Sequence, residues 1–271
     1  MRVFLTIFAF LLSFSTSAFA EDPSPLRQLM TGDDSRGWEA VGRLNIGRSG
    51  MCTGALIAPD LVLTAAHCVY DKHTHRMVDA TQIEFLAGLR NGRASAYRWV
   101  ESAMVHPDYF YDPDGRPQMR NDIALLRLVQ PIRNGSIVPF ETYDRPSKGD
   151  EVGVVSYAHD RMETPAFQES CFVLARQSGT LVMSCDVDFG SSGAPVFTIV
   201  DGIPKIVSVV SAKAELDTRR VAIGASLDGA LPELLLAMQN DLRPPTPEGP
   251  VIRRIGQGRA QQGSGAKFVR P

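Results

Sequence analysis

The sequence predicts an all-β domain closed by a single C-terminal helix. Three observations carry this. Between Trp38 and about Ser226 the chain is a succession of short apolar segments, most of them ended by Gly, Pro, Asn or Asp. Over most of that region the apolar residues show no 3.6-residue period. The exception is DGALPELLLAMQN, Asp228 to Asn240, where Leu231, Leu234, Leu235 and Met238 fall at i, i+3, i+4 and i+7.

The apolar segments are, in order, TGALIA, LVLTAA, QIEFLAG, IALLRL, EVGVVSY, APVFTIV and IVSVVS. Most are rich in Val, Ile or Leu, residues that fit a pleated, half-buried surface. Many short strands at this spacing build sandwiches or barrels. In the helical segment Pro232 is tolerable only in a first turn. The apolar stripe of that helix packs on the β domain.

The flanks differ in composition. The first twenty residues, MRVFLTIFAFLLSFSTSAFA, combine a basic Arg2, an apolar run and a small-residue end at Ala18-Phe19-Ala20. This is the layout of a secretory signal cleaved after Ala20. The run is shorter than the ~18–20 apolar residues that span a bilayer, so stable membrane insertion is not expected. Residues 21–37 are polar and proline-containing, and read as a pro-segment or flexible arm. The folded domain then runs over residues 38–240. Residues 241–271, rich in Pro, Gly, Gln and Arg, read as a disordered basic tail.

With 44% apolar and 21% charged residues the composition is that of a globular protein. A net charge of -2 gives no support to nucleic-acid binding. The four cysteines are an even number, and export would place them in an oxidising compartment. No Cys-x-x-Cys pair is present, so disulfides are favoured over a metal site, with three pairings possible.

Three segments carry candidate chemistry. In LTAAHCVYD, His67 ends an apolar strand in a small-residue turn beside Cys68. A Cys52–Cys68 bridge would tie two strands together and mount that turn rigidly. In RNDIALLRL, Asp122 stands just before a strand. It is either a turn cap or a buried acid, and a buried acid needs a partner, for which His67 is the candidate. In DFGSSGAPVF the Gly-x-Ser-Gly spacing makes Ser192 the nucleophile and Ser191 the intervening residue. Serine needs a base to take its proton, and N–H donors where the tetrahedral intermediate becomes negative. Gly190 lets the backbone aim its own N–H and that of Ser192 at one oxygen, an oxyanion hole.

Together these segments resemble the trypsin-like (chymotrypsin-fold) serine endopeptidases. LTAAHC, NDIALLRL and GSSGAPVF match the superfamily's three signatures, and IVSVVSA resembles the strand that lines its substrate groove. CDVDFGSSGAPVF brings the chain closest to the bacterial glutamyl-endopeptidase-like branch. The resemblance covers roughly Trp38 to Asn240. It implies two six-stranded antiparallel β-barrels with the site between them, and a His67-Asp122-Ser192 triad that cleaves peptide bonds through an acyl-enzyme. It also implies that Ser211 supports the aspartate and contacts the substrate backbone. Protein or peptide substrates are the expected partners. No cofactor or metal is expected, and the chain reads as a secreted or periplasmic monomer. The competing reading is a protease-fold binding protein without activity.

Two departures matter. The trypsin branch places an aspartate directly before the nucleophile, to pair with a freed N-terminus; here Ser191 stands there. Cys171 and Cys185 flank FVLARQSGTLVMS, which reads as a hairpin with Ser178-Gly179 at its tip. A bridge between them would brace the loop leading to Ser192. For specificity, Asp186 lies six residues before Ser192, and reads either as the acid that recognises basic side chains at that spacing or as a loop cap. Lys213, Arg219 and Arg220 lie on the other expected pocket walls, where they either favour an acidic side chain or face solvent.

Overall fold

The computed structural model describes residues 22–48, 50–112, 119–143, 146–216 and 219–241. The expected signal segment and all but the first residue of the expected tail lie outside them. Among the described residues no helix is long and apolar enough to cross a membrane.

Strand β1, Arg27–Gln28, precedes a first barrel of six strands. These are β2 (Val41–Ile46), β3 (Gly50–Ala58), β4 (Leu61–Thr64), β5 (Ile83–Ala87), β6 (Ala96–Val105) and β7 (Ala124–Leu128). They close in the order β2-β3-β4-β7-β6-β5, every pairing antiparallel. Leu44, Leu56, Leu63, Phe85 and Leu125 fill the core.

The second half contains β8 (Glu141–Thr142), β9 (Glu151–Ala158), β10 (Arg161–Gln177), β11 (Thr180–Met183), β12 (Pro195–Val200), β13 (Ile203–Leu216) and β14 (Arg219–Ser226). The pairings run β9-β10-β11-β14-β13-β12 and return to β9, again all antiparallel. β1 adds to β10, and the short β8 lies parallel to β13. All seven apolar segments read from the sequence supply strands. The β10–β11 hairpin also forms as expected: Gln177 pairs with Thr180, and Ser178 and Gly179 take φ of 49° and 80°.

Helix α1, Ala230–Asp241, packs against β6 and β7 through Leu231, Leu234 and Met238, with Pro232 in its first turn. Buried His106 stands 3.3 Å from Glu233 of this helix, a structural contact between barrel and helix.

The segment read as a pro-segment or flexible arm is docked. β1 pairs with β10, Ser24 exchanges hydrogen bonds with Ser170, and Leu29 is fully buried. A polar strand of two residues leaves no periodic trace in sequence, which is why composition suggested an arm. Trp38 follows, its ring tilted against Phe140 and Phe167 and edge-on to Phe197 where the barrels meet.

Both disulfides pair as the local segments suggested, Cys52 with Cys68 and Cys171 with Cys185. The second closes a separation of 14 residues. Replacing Cys171 and Cys185 together by Ala should cost about 3 kcal/mol of stability, by the chain-entropy relation for a loop of this size. Equilibrium denaturation under non-reducing conditions checks it; an unchanged midpoint would remove the bridge from the stability account.

Candidate active site

His67 sits in a 3-10 turn, Ala66–Val69, directly after β4. Cys68 in that turn is bonded to Cys52 of β3, so the turn is fastened to the first barrel. Asp122 precedes β7 and is 1% exposed. It is a buried acid, not a cap. Its Oδ1 accepts the backbone N–H of His67 at 2.8 Å, and its Oδ2 lies 2.7 Å from His67 Nδ1. The Ser211 hydroxyl, from β13, also donates to Oδ2. A carboxylate can only accept, so the proton of the neutral imidazole is on Nδ1 and Nε2 is left as a base.

Ser192 and His67 line the same cleft of about 500 Å³. Among the described residues Ser192 makes no hydrogen bond to His67. Such contacts are often loose in the absence of substrate and tighten in the bound complex.

The turn that carries Ser192 is set by two glycines at positive φ. Gly190 has φ +100°, and an added Cβ would lie 2.3 Å from Met51 Cε and 2.9 Å from Ala158 Cα. Gly193 has φ +78°, and a Cβ there would meet Thr64 Oγ1 at 2.1 Å and Thr53 O at 2.3 Å. Both positions admit only glycine. The carbonyl of Phe189 accepts the N–H of His159 at 2.9 Å. In a trans peptide N–H and C=O point opposite ways, so this bond turns the Gly190 N–H away from β9. Among the described residues neither that N–H nor the one of Ser192 is taken by a protein acceptor.

Thr53 joins the barrels beneath the turn that carries Ser192. Its N–H donates to the Ser192 carbonyl at 2.8 Å and its hydroxyl to the Gly190 carbonyl at 2.9 Å. The same hydroxyl accepts the Tyr157 N–H at 3.1 Å. A lone threonine in an apolar strand carries no signal of such a role.

The family model for trypsin matches residues 31–223. The chain belongs to the trypsin family. It is 29% identical over 152 residues to the glutamyl endopeptidase of Bacillus licheniformis, covering 55% of this chain and 45% of that protein. It is 27% identical over 114 residues to venom serine protease 34 of Apis mellifera, covering 40% and 28%. To the CLIP domain-containing serine protease B15 of Anopheles gambiae it is 33% identical over 120 residues, covering 40% and 30%. The chain thus spans less than half the length of the curated relatives it matches. A solved Glu endopeptidase superposes with a TM-score of 0.66 at 19% identity, over 81% of this chain and 98% of that one, and shares the fold.

In this trypsin-family chain the residues offered for specificity are largely engaged with neighbouring charges. Asp186 is not brought into the cleft. Its N–H is held by Gln168 Oε1 at 2.7 Å, and its half-exposed carboxylate lies 3.7 Å from Arg220. The neighbouring Cys185, bridged to Cys171, is buried. Lys213 is also engaged: its ammonium is 2.6 Å from Asp188 and 3.9 Å above the Phe189 ring. The Lys213 hydrogen bond holds the Asp188 carboxyl below the usual range. Arg219 is exposed.

Arg161 is a second residue that the sequence did not announce. Only 6% exposed, it lies behind the nucleophile turn. Its Nη2 reaches Ser156 Oγ at 3.1 Å and Ser191 Oγ at 3.4 Å, and its Nη1 reaches Asp160 at 2.9 Å. Ser191, fully buried, donates to the Tyr157 carbonyl at 3.3 Å and accepts the Asp188 N–H at 3.3 Å. Where the trypsin branch has an aspartate, this turn is held by a serine and a resident cation.

Proposed function

We propose that the chain is a serine endopeptidase acting outside the cytoplasm, with His67, Asp122 and Ser192 as its triad. The observation that carries the reading is Asp122. It is buried, accepts two bonds from His67 and one from Ser211, and so prepares a base in the cleft that Ser192 lines. The two disulfides support an oxidising compartment.

The chemistry follows from these positions. Ser192 Oγ attacks the scissile carbonyl carbon while His67 Nε2 takes its proton. The carbonyl oxygen becomes an oxyanion and accepts the N–H groups of Gly190 and Ser192; losing one such donor costs about 2.7–4 kcal/mol in comparable enzymes. The intermediate collapses, the C–N bond breaks, and His67 gives its proton to the leaving amine. Asp122 steadies the imidazolium throughout. Water, deprotonated by His67, then attacks the acyl-enzyme and frees Ser192.

An organophosphonate that labels activated serines tests the assignment. The chain from Glu21 onward should be labelled, Ser191→Ala should still be labelled, and Ser192→Ala should not. An unlabelled wild-type chain would point to the binding-protein reading instead.

A further inference from the structure

The cleft that holds His67 and Ser192 lies to one side of the nucleophile. No residue of β13 or β14 lines it, so it is on the side away from Ser211 and its strand. The Cys52–Cys68 bridge, Met51, Met77 and Val78 contribute its apolar surface. His67, which delivers the proton to the departing amine, opens onto it. In the endopeptidase reading this is where the chain beyond the scissile bond must lie.

Its charges are unbalanced in a specific way. Arg48, Lys72 and Arg76 line it, are exposed, and have no ion pair among the described residues. Two acids also line it, but each is turned onto its own loop. Asp71 accepts the N–H groups of His73 at 3.0 Å and Thr74 at 2.7 Å. Asp79 accepts the N–H of Thr81 at 3.0 Å and its hydroxyl at 2.8 Å. The Thr74 and Thr81 bonds hold these carboxyls below the usual range, so both are ionised and already solvated by the protein. Elsewhere around the nucleophile turn the charges are matched internally, Lys213 with Asp188, Arg220 with Asp186 and Arg161 with Asp160. The lining thus carries three exposed cations against two carboxylates whose oxygens are already engaged, so the cations are the groups left open to an incoming carboxylate.

We propose that this cleft is a leaving-group-side subsite selecting acidic side chains at the first two residues after the scissile bond. The proposal rests on the endopeptidase reading and extends it. Carboxylates there would meet Arg48, Lys72 and Arg76, with an aliphatic stem laid over Met51 and Met77. A basic side chain would meet the same three cations and be repelled. Because the cations are exposed, the selection is moderate and weakens with salt.

The test uses internally quenched peptides that share one acyl half and differ only after the scissile bond. That acyl half is taken from a peptide-library digest. Asp or Glu at the two positions should give kcat/KM about 3- to 10-fold above Lys, as expected for a few exposed charge pairs. The ratio should fall towards one between low salt and 0.5 M NaCl. In an Arg48→Glu, Lys72→Glu, Arg76→Glu variant the order should invert. Equal cleavage of acidic and basic peptides by the wild type would overturn the proposal, and so would a ratio indifferent to salt. The salt series needs no variant, so a misfolded triple mutant does not blunt the test. A chain that cleaves no peptide and takes no phosphonate label would instead defeat the endopeptidase reading, and this proposal with it.

Discussion

Asp122→Asn should lower kcat by about four orders of magnitude with little change in KM, as the same exchange does in comparable triads. The geometry shows why. Oδ1 of Asp122 takes the His67 backbone N–H, while Oδ2 takes Nδ1–H and the Ser211 hydroxyl. An asparagine can keep only one of these sides. If its oxygen stays on the backbone N–H, its NH2 faces Nδ1, which must then accept. The proton moves to Nε2, and the base that Ser192 needs is gone. If the amide turns over, its NH2 confronts the His67 N–H, and two buried donors meet without an acceptor. Steady-state kinetics checks the rate, and thermal denaturation shows whether the fold survives. A loss below tenfold would mean that Asp122 does not organise the base.

The second large effect should come from Arg161→Met. Removing a whole buried ion pair is often neutral or stabilising, and removing one partner is costly when the other charge is left buried. Stability should therefore hold or rise, because the guanidinium's Nε has no hydrogen-bond partner among the described residues and its carboxylate partner Asp160 is exposed. Activity should fall. Ser191 loses the cation behind it, the turn from Asp188 to Ser192 loosens, and the N–H pair of Gly190 and Ser192 is no longer held in place. A drop in kcat of about 10²-fold, comparable to losing one oxyanion donor, is the expected size. KM should change little, and Arg161→Lys should restore part of the loss by keeping the charge. If stability moves and kcat does not, Arg161 is a packing residue only.

The sequence displayed what depends on local pattern. Seven apolar segments, the Ser178-Gly179 turn and the stripe of α1 all rest on neighbours a few residues apart, and all form. So did the contexts of His67, Asp122 and Ser192, because each sits at a strand end whose composition is distinctive. What stayed hidden depends on long-range placement. The docking of Ser24 on Ser170, the Thr53 bonds to Gly190 and Ser192, and the burial of Arg161 each join residues distant in sequence. A polar side chain in such a role looks like any other polar side chain. Asp186 makes the converse point. Its spacing to Ser192 matches a pocket acid, but spacing does not display its partners, Gln168 at its N–H and Arg220 near its carboxylate.

Thr53 has a consequence for how the two halves of the molecule relate. Ser192 belongs to the second barrel by chain connection, yet its carbonyl is gripped by a strand of the first. His67 and Asp122 come from the first barrel, and Ser211, which donates to Asp122, comes from the second. Support is thus exchanged in both directions across one seam. Neither half carries a reduced version of the site, so turnover would report on whether the halves are assembled. Fragments split in the stretch between β7 and β9 would each be inert, and mixing them would score complementation by the appearance of activity, with no need for a separate binding probe.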